Sequence, residues 1–180
     1  MLSLIYVECV IPVIYNLRSK NNKMEKKMEI TYRSACIDDL LQITELWDLM
    51  CNTEENCGED AYDEILIACK EILTNSGKTV FVAQDRDKTV GYSYALLKRE
   101  RSFSDEHGIY GFLDTIYIHP EYRKQGIAKT LVTMCEDWSR KKGCSELASC
   151  CDLDNEHSFA FHTAIGFKEL HRIIHFSKDL

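Results

Sequence analysis

The chain has 180 residues, 45% of them hydrophobic and 28% charged, enough for one sizeable core and too few for two comfortable domains. A net charge of −7 speaks against a nucleic-acid-binding surface and in favour of cationic ligands. Nine cysteines, odd in number, without a CxxC pair and with Cys150 beside Cys151, argue against a zinc ribbon or disulfide scaffold. They read instead as small buried thiols of a reducing cytoplasm, Cys69 and Cys135 on helical faces among them.

The first 28 residues differ from the rest. Leu2 to Tyr15 is an apolar run broken by Glu8 and Pro12, too short for the roughly 20 residues of a membrane span. It lacks the basic start and small-residue cleavage site of a signal peptide. RSKNNKMEKKME follows as a polar linker, and Met24 and Met28 are alternative starts. Residues 1–28 are therefore expected to be an extension outside the working domain, which runs over 29–180. An added strand or a membrane-surface anchor is the rival reading.

From Glu29 the pattern is regular. EITYRSA alternates as a strand, and Asp38 or Asp39 is the expected cap of a helix that turns Leu40, Leu41, Ile43, Leu46, Trp47 and Met50 inward. A second helix spans about Ala61 to Leu73, with Ile65, Leu66, Ala68, Cys69 and Ile72 inward. TVFVAQ and TVGYSYALL form a hairpin about the charged turn RDK. GFLDTIYIH is a strand, IAKTLVTMCEDWSRKKG a helix stopped by Gly143, and SELASCC a further strand. A short helix through His162 and a last strand pair from Phe167 to Ser177 complete the order β-α-α-β-β-β-α-β-α-β(β). This is an α/β fold with a mixed central sheet flanked by helices, without internal repeats.

HPEYRKQGIAKT joins a strand to a helix. A turn rich in backbone donors, with Gly126 permitting close approach and a helix beginning near Ile127, aims unpaired N–H groups at one point and forms an anion cradle. It is neither a P-loop nor a dinucleotide fingerprint, since GxxxxGK[ST] and GxGxxG are absent. The bland alternative is an ordinary strand-to-helix turn with a surface arginine.

Arg123-x-x-Gly126-x-Ala128 resembles the acetyl-CoA-binding signature [RQ]-x-x-G-x-[GA] of the GCN5-related N-acetyltransferases (GNAT), and the resemblance extends over nearly all of 29–180. More narrowly, GFLDTIYIHPEYRKQGIAKTLV, CSELAS, LDN, FHTAIGF and HFSKDL occur in the order found in aminoglycoside 6'-N-acetyltransferases. The resemblance implies a single GNAT-type domain and a cytoplasmic, homodimeric enzyme with no need for metal, membrane or nucleic acid. It further implies direct transfer of an acetyl group from acetyl-CoA to an aminoglycoside 6'-amine in a ternary complex. The pantetheine would lie along Ile116, Tyr117 and Ile118, with the Ile118 N–H near the thioester carbonyl. The pyrophosphate would sit on Arg123, Lys124, Gln125, Gly126, Ile127 and Ala128. Asn155 would contact the pantetheine arm, cap a helix, or do both.

The same resemblance places Asp114 at the strand carboxylate that faces the amine, where it could bind the ammonium and pass its proton to water; the alternative is an Asp that caps a bulge. His162 stands where a group can protonate the departing thiolate, or it merely packs. Where the aminoglycoside enzymes usually read ASD, this chain has Ala148-Ser149-Cys150, so a carboxylate beside the amine has become a thiol. Asp152 would compensate if the strand continued that far. Trp47 and the acidic loop of residues 52–60, with Glu54 and Glu55, would frame and hold a polycationic acceptor. An acetyltransferase for another polyamine or for a peptide amine shares every acetyl-CoA feature. A non-catalytic acyl-CoA-binding module would have no use for Asp114.

Overall fold

The computed structural model describes residues 29–51, 61–99, 108–174 and 176–178; the extension 1–28 and the acidic loop with Glu54 and Glu55 lie outside the described residues. The elements are β1 (Ile30–Ser34), α1 (Leu40–Cys51), α2 (Ala61–Thr74), β2 (Lys78–Asp85), β3 (Lys88–Lys98), β4 (Tyr110–Ile118), α3 (Ile127–Lys141), β5 (Leu147–Ala148) and α4 (Glu156–Ala164). One five-stranded sheet has the order β1-β2-β3-β4-β5. Its first three pairings are antiparallel and the β4–β5 pairing is parallel, which makes it the expected mixed sheet.

β2, β3 and β4 read as nearly continuous apolar runs because both of their faces are covered. Alternation then sends neighbours to opposite cores. Val80, Val82, Tyr92, Tyr94 and Tyr117 meet Ile43, Leu46, Met50, Ile65, Cys69 and Ile72 of α1 and α2. Phe81, Ala83, Val90, Leu113, Ile116 and Ile118 meet Ile127, Leu131, Val132 and Cys135 of α3. Full burial of each large aliphatic side chain contributes about 1.5–3 kcal/mol. α3 sits unusually close to β4, because a Cβ on Gly111 would fall 2.8 Å from the Cβ of the buried Ser139. α3 ends as expected at Gly143, whose φ of +83° lets the Cys144 N–H reach back to the Ser139 carbonyl at 3.0 Å.

Four expectations are corrected. Neither Asp38 nor Asp39 caps α1: a 3-10 turn, Ile37–Asp39, precedes it, with Cys36 at its N-cap. Asp39 instead reaches back to accept the Cys36 N–H at 2.8 Å and a bidentate pair from Arg33 at 2.6 and 2.7 Å. Leu41 is 60% exposed, since the inward stripe runs through Ile43, Leu46, Trp47 and Met50. β5 stops at Ala148 and does not extend to Cys151, so strand alternation cannot carry a side-chain direction from Cys150 to Asp152. The strand pair expected from Phe167 to Ser177 does not form: residues 167–174 and 176–178 are in no ladder, and Leu170, Ile173, Ile174 and Phe176 are exposed. Among the described residues no helix is long and apolar enough to cross a membrane.

Candidate active site

The C-terminal half of β4 is where the chain exposes backbone. The His119 N–H donates to the Val90 carbonyl at 2.9 Å, and Ile118 stands opposite Gly91 in the register. Antiparallel alternation therefore turns the N–H groups of Ile116 and Ile118 away from β3, toward the side where β5 has already ended. Gly91 permits this close pairing, since a Cβ there would fall 2.9 Å from the Tyr117 carbonyl oxygen. Sequence reasoning missed Gly91; its position opposite the end of β4 was the available signal.

The turn after β4 gathers backbone donors at the start of α3. A 3-10 turn, Pro120–Tyr122, leads into Arg123, then Lys124 at φ +62° and Gly126 at φ +80°. The first intrahelical acceptor of α3 is the Gly126 carbonyl, which takes the Thr130 N–H at 3.1 Å. The N–H groups of Ile127, Ala128 and Lys129 thus have no intrahelical partner and point out of the helix start. A Cβ on Gly126 would meet nothing within 4 Å, so the space beside the turn is open. Arg123 is tied by Nε to the Ile118 carbonyl at 2.8 Å, and its guanidinium lies 5.7 Å from the Tyr117 ring centroid. That bond uses Nε and leaves the two terminal nitrogens of the fork as donors that a phosphate could take. Donors, a cation and open space beside them fit the pyrophosphate of a coenzyme A group.

Asp114 occupies the one irregularity of β4. Tyr94 pairs with Thr115 and Ala95 with Leu113, so Asp114 is the extra residue of a β-bulge. Thr115 Oγ1 donates to Asp114 Oδ2 at 3.1 Å. Burial first, then the Asp114 charge, pushes the Tyr94 phenol far above its ordinary range, and Tyr92 is raised in the same direction chiefly by burial. The carboxylate accordingly acts on the α1–α2 side of the sheet, which also carries Trp47. Trp47 stacks on Tyr92 with centroids 6.4 Å apart, and Tyr92 lies 6.5 Å from Tyr117. A row of rings thus runs from α1 across β3 and β4 to Arg123.

After β5 the chain leaves the sheet. Cys150 and Asp152 are exposed on the segment that follows it, and the Asp152 carbonyl accepts the Asn155 N–H at 3.1 Å. Asn155 is the N-cap of α4, its Oδ1 accepting the Ser158 N–H at 2.9 Å. That cap uses the side-chain oxygen and leaves its NH2 for another partner. His162 is buried, and both ring nitrogens are engaged. Nδ1 lies 2.7 Å from the Ser158 carbonyl oxygen and Nε2 lies 2.9 Å from Ser149 Oγ. Burial lowers its pKa from the ordinary 6.5 against a smaller opposing effect of the Ser158 carbonyl. Ser149 was not singled out in the sequence; only its place beside the Cys150 departure marked it. Among the described residues no three His, Cys, Asp or Glu side chains converge as a metal site requires. The seven described cysteines are free thiols, with burial pushing Cys69 up to about 11 and Cys135 to about 12.

Residues 42–167 match the acetyltransferase (GNAT) family. An aminoglycoside N(6')-acetyltransferase type 1 from Acinetobacter baumannii is 32% identical over 122 residues, 67% of this chain and 84% of that protein. One from Serratia marcescens is 34% identical over 112 residues, 62% of this chain and 77% of that protein. Among solved structures, AAC(6')-Iy in complex with the bisubstrate analogue CoA-S-monomethyl-acetylneamine is similar with a TM-score of 0.73 at 26% identity, covering 84% of this chain and 99% of that one. The aminoglycoside antibiotic 6'-N-acetyltransferase AAC(6')-Ih from Acinetobacter baumannii gives 0.73 at 27% identity over the same shares.

Proposed function

The chain belongs to the GNAT acetyltransferase family, and from that premise we propose that it acetylates the 6'-amine of aminoglycosides, with acetyl-CoA and acceptor bound together. The observation that carries this reading is a conjunction on β4. One edge, at Ile116 and Ile118, turns backbone N–H groups away from β3 beside the donor-rich turn at Gly126, and a bulge in the same strand carries Asp114, whose charge bears on Tyr92 and Tyr94 of the α1–α2 face. Acetyl-CoA would be held by the turn Arg123–Ala128, by the β4 edge and by the Asn155 amide, and when bound it supplies an acetyl group already activated as a thioester.

The rest falls to the chain's own groups. The Ile118 N–H, fixed in the strand, is oriented to donate to developing negative charge at the acyl oxygen. Asp114 binds the acceptor ammonium and, directly or through water, removes the proton that blocks the amine lone pair. Asp152 is a second carboxylate for that task, with Cys150 beside it. Trp47 supplies an apolar wall for a sugar ring, and Glu54 and Glu55 supply charge for the remaining ammonium groups. His162, with both nitrogens occupied by the protein, contributes through position rather than by direct proton delivery.

Residues 29–180 form the working domain in this reading, with 1–28 outside it. Free thiols along the chain fit a cytoplasmic enzyme. The described residues from Phe167 onward lie in no strand and leave Leu170, Ile173, Ile174 and Phe176 exposed, which supports a homodimer in which a second copy covers these side chains.

Thiol release from acetyl-CoA, measured with aminoglycosides that carry and that lack a 6'-amine and with spermidine and a peptide amine, tests the assignment. Turnover confined to the 6'-amino compounds is expected. Turnover of drugs lacking that amine, or of spermidine or peptide alone, overturns the acceptor; no thiol release with any amine overturns the enzyme.

A further inference from the structure

Beside the tyrosines of the α1–α2 core, the same face of the sheet carries a second, smaller apolar cluster. Alternation along β3 sends Tyr94, Leu96 and Lys98 to that face, and the partners of the last two on β4, Phe112 and Tyr110, share it. Tyr110, Phe112 and Ala148 are buried together, and Leu96 packs against both this cluster and the α1–α2 core. The cluster thus continues that core toward β5 as a floor. Asp114 follows Phe112 two residues along β4, and its charge bears on Tyr94 of the same face. Ala148, at the far edge, is the last residue of β5, from which the chain leaves toward Cys150 and Asp152.

This floor already holds a cation. Lys98 Nζ lies 3.4 Å from the centroid of the Phe112 ring, which is 5% exposed. Lys98 is half-buried, and among the described residues its ammonium has no carboxylate partner. The charge is held by a ring quadrupole, a contact that another ammonium can make equally well. A flexible four-carbon stem lets the lysine give up such a place and carry its charge into water. The Cα atoms of Phe112 and Asp114 stand within about 7 Å of one another along the strand. A small polycation that brings one ammonium to Asp114 therefore brings its next to the ring that Lys98 occupies, and two ammonium groups on one ring face would repel.

We propose that the Phe112 ring is a cation seat of the acceptor cleft, held by Lys98 before the acceptor arrives and taken by one of the acceptor's own ammonium groups when it binds. This rests on the reading that a polycationic acceptor reaches Asp114. Lys98 is then a specificity-determining residue: it sets a threshold that an acceptor passes by supplying a cation of its own at the right distance from the reacting amine.

The test is a double-variant cycle of Lys98→Met, which keeps length and an apolar stem without the charge, and Phe112→Leu, with Lys98→Arg as the charge-retaining control. Binding of kanamycin, a 6'-amino aminoglycoside, is titrated calorimetrically with coenzyme A present, alongside steady-state kinetics. In Lys98→Met the Kd and KM for kanamycin should fall about fivefold while kcat and coenzyme A affinity stay within about twofold, and Lys98→Arg should match the parent. Phe112→Leu should change kanamycin affinity little in the parent, where the ring's contact with one cation is exchanged for another, and should weaken it about fivefold in the Lys98→Met background. Coenzyme A affinity reports that each variant is folded; should Phe112→Leu lose it, the Lys98→Met and Lys98→Arg arm decides. Equal or weaker kanamycin binding in Lys98→Met overturns the seat, and so does additivity in the cycle, which would make Lys98 a distant field rather than an occupant of the ring. Either result leaves the aminoglycoside reading intact. Failure of the unaltered protein to bind kanamycin with coenzyme A present overturns both.

Discussion

The two faces of the sheet are made of different materials. Toward α3 the core is aliphatic, with Leu113, Leu131, Val132 and Ala95 fully buried, and its polar atoms are partnered: Ser139 donates to the Cys135 carbonyl at 2.9 Å, and Ser93 lies 3.3 Å from Cys135 Sγ. Toward α1 and α2 it holds three buried tyrosines and Cys69, and the Tyr92 hydroxyl has no partner among the described residues. Burying such a group without a hydrogen bond costs about 1–3 kcal/mol. The first face fixes β4 and the start of α3, and with them the cleft proposed for coenzyme A. The second accepts unfavourable burial next to the bulge that displays Asp114, which is where a protein that must handle a charged amine is expected to give up stability.

If the second face is the reacting one, its carboxylate should matter most. Asp114→Asn keeps size and hydrogen bonding but loses charge, so kcat/KM for the aminoglycoside should fall about 100-fold while coenzyme A affinity stays put. A cycle with Asp152→Asn and the double variant separates independent roles from a shared proton path through non-additivity. Full turnover in Asp114→Asn with loss in Asp152→Asn would move the base to the segment after β5.

The first face should answer in the opposite kinetic constant. Gly126→Val forces a branched side chain to φ +80° and puts bulk into the open space beside the turn. KM for acetyl-CoA should rise about tenfold or more with acceptor KM little changed, and stability should drop by about 1–2 kcal/mol from the left-handed backbone alone. An unchanged acetyl-CoA KM would remove the anion from this turn.

The contrast also explains what the sequence discloses. The geometry of the turn from Arg123 to Ala128 is legible because it is written into contiguous residues. Asp114 was half legible: a carboxylate inside an apolar strand demands a reason, but the bulge is fixed by register against Tyr94 and Ala95, twenty residues away. The end of β5 was not legible, because a two-residue strand followed by Ser149 carries the same apolar-polar pattern as a longer one. The terminal segment from Phe167 has strand-like residues and no strand beside it; alternation reports what a side chain prefers to cover, not whether this chain supplies the cover. Cys36 escaped notice as a cap because thiols are poor acceptors, and the bonding there is done by Asp39 from three residues on.

A smaller effect sharpens the comparison at a single atom. Tyr92→Phe removes the buried hydroxyl and keeps the ring that stacks on Trp47. The urea midpoint should rise, corresponding to about 1 kcal/mol. A lower midpoint would mean that the hydroxyl has an acceptor, and that the α1–α2 face is as well satisfied as its opposite.

The smallest effect concerns the ionisable ring packed beside the α3 core. Burial holds His162 below its ordinary 6.5. As the pH falls, the unfolded chain takes up this proton before the folded one, so stability is full above 6.5 and declines as the pH drops from there through the lower folded-state value. Asp39, lowered from 3.8 chiefly by its hydrogen bond from Arg33, begins to lose its contribution only in more acid solution. His119 is also lowered, by burial and then by Lys88, and shares the His162 window. The measurement is therefore Tm at about pH 7.5 and about pH 5.5 for the unaltered protein, His162→Gln and His119→Gln. Each variant should show a smaller acid-side drop than the parent, His162→Gln the smallest. An unchanged drop in His162→Gln would mean that the folded ring carries its proton as readily as the unfolded one. The Nε2–H would then donate to Ser149 while the hydroxyl donates to Leu113, and hydrogen bonding would have offset the burial.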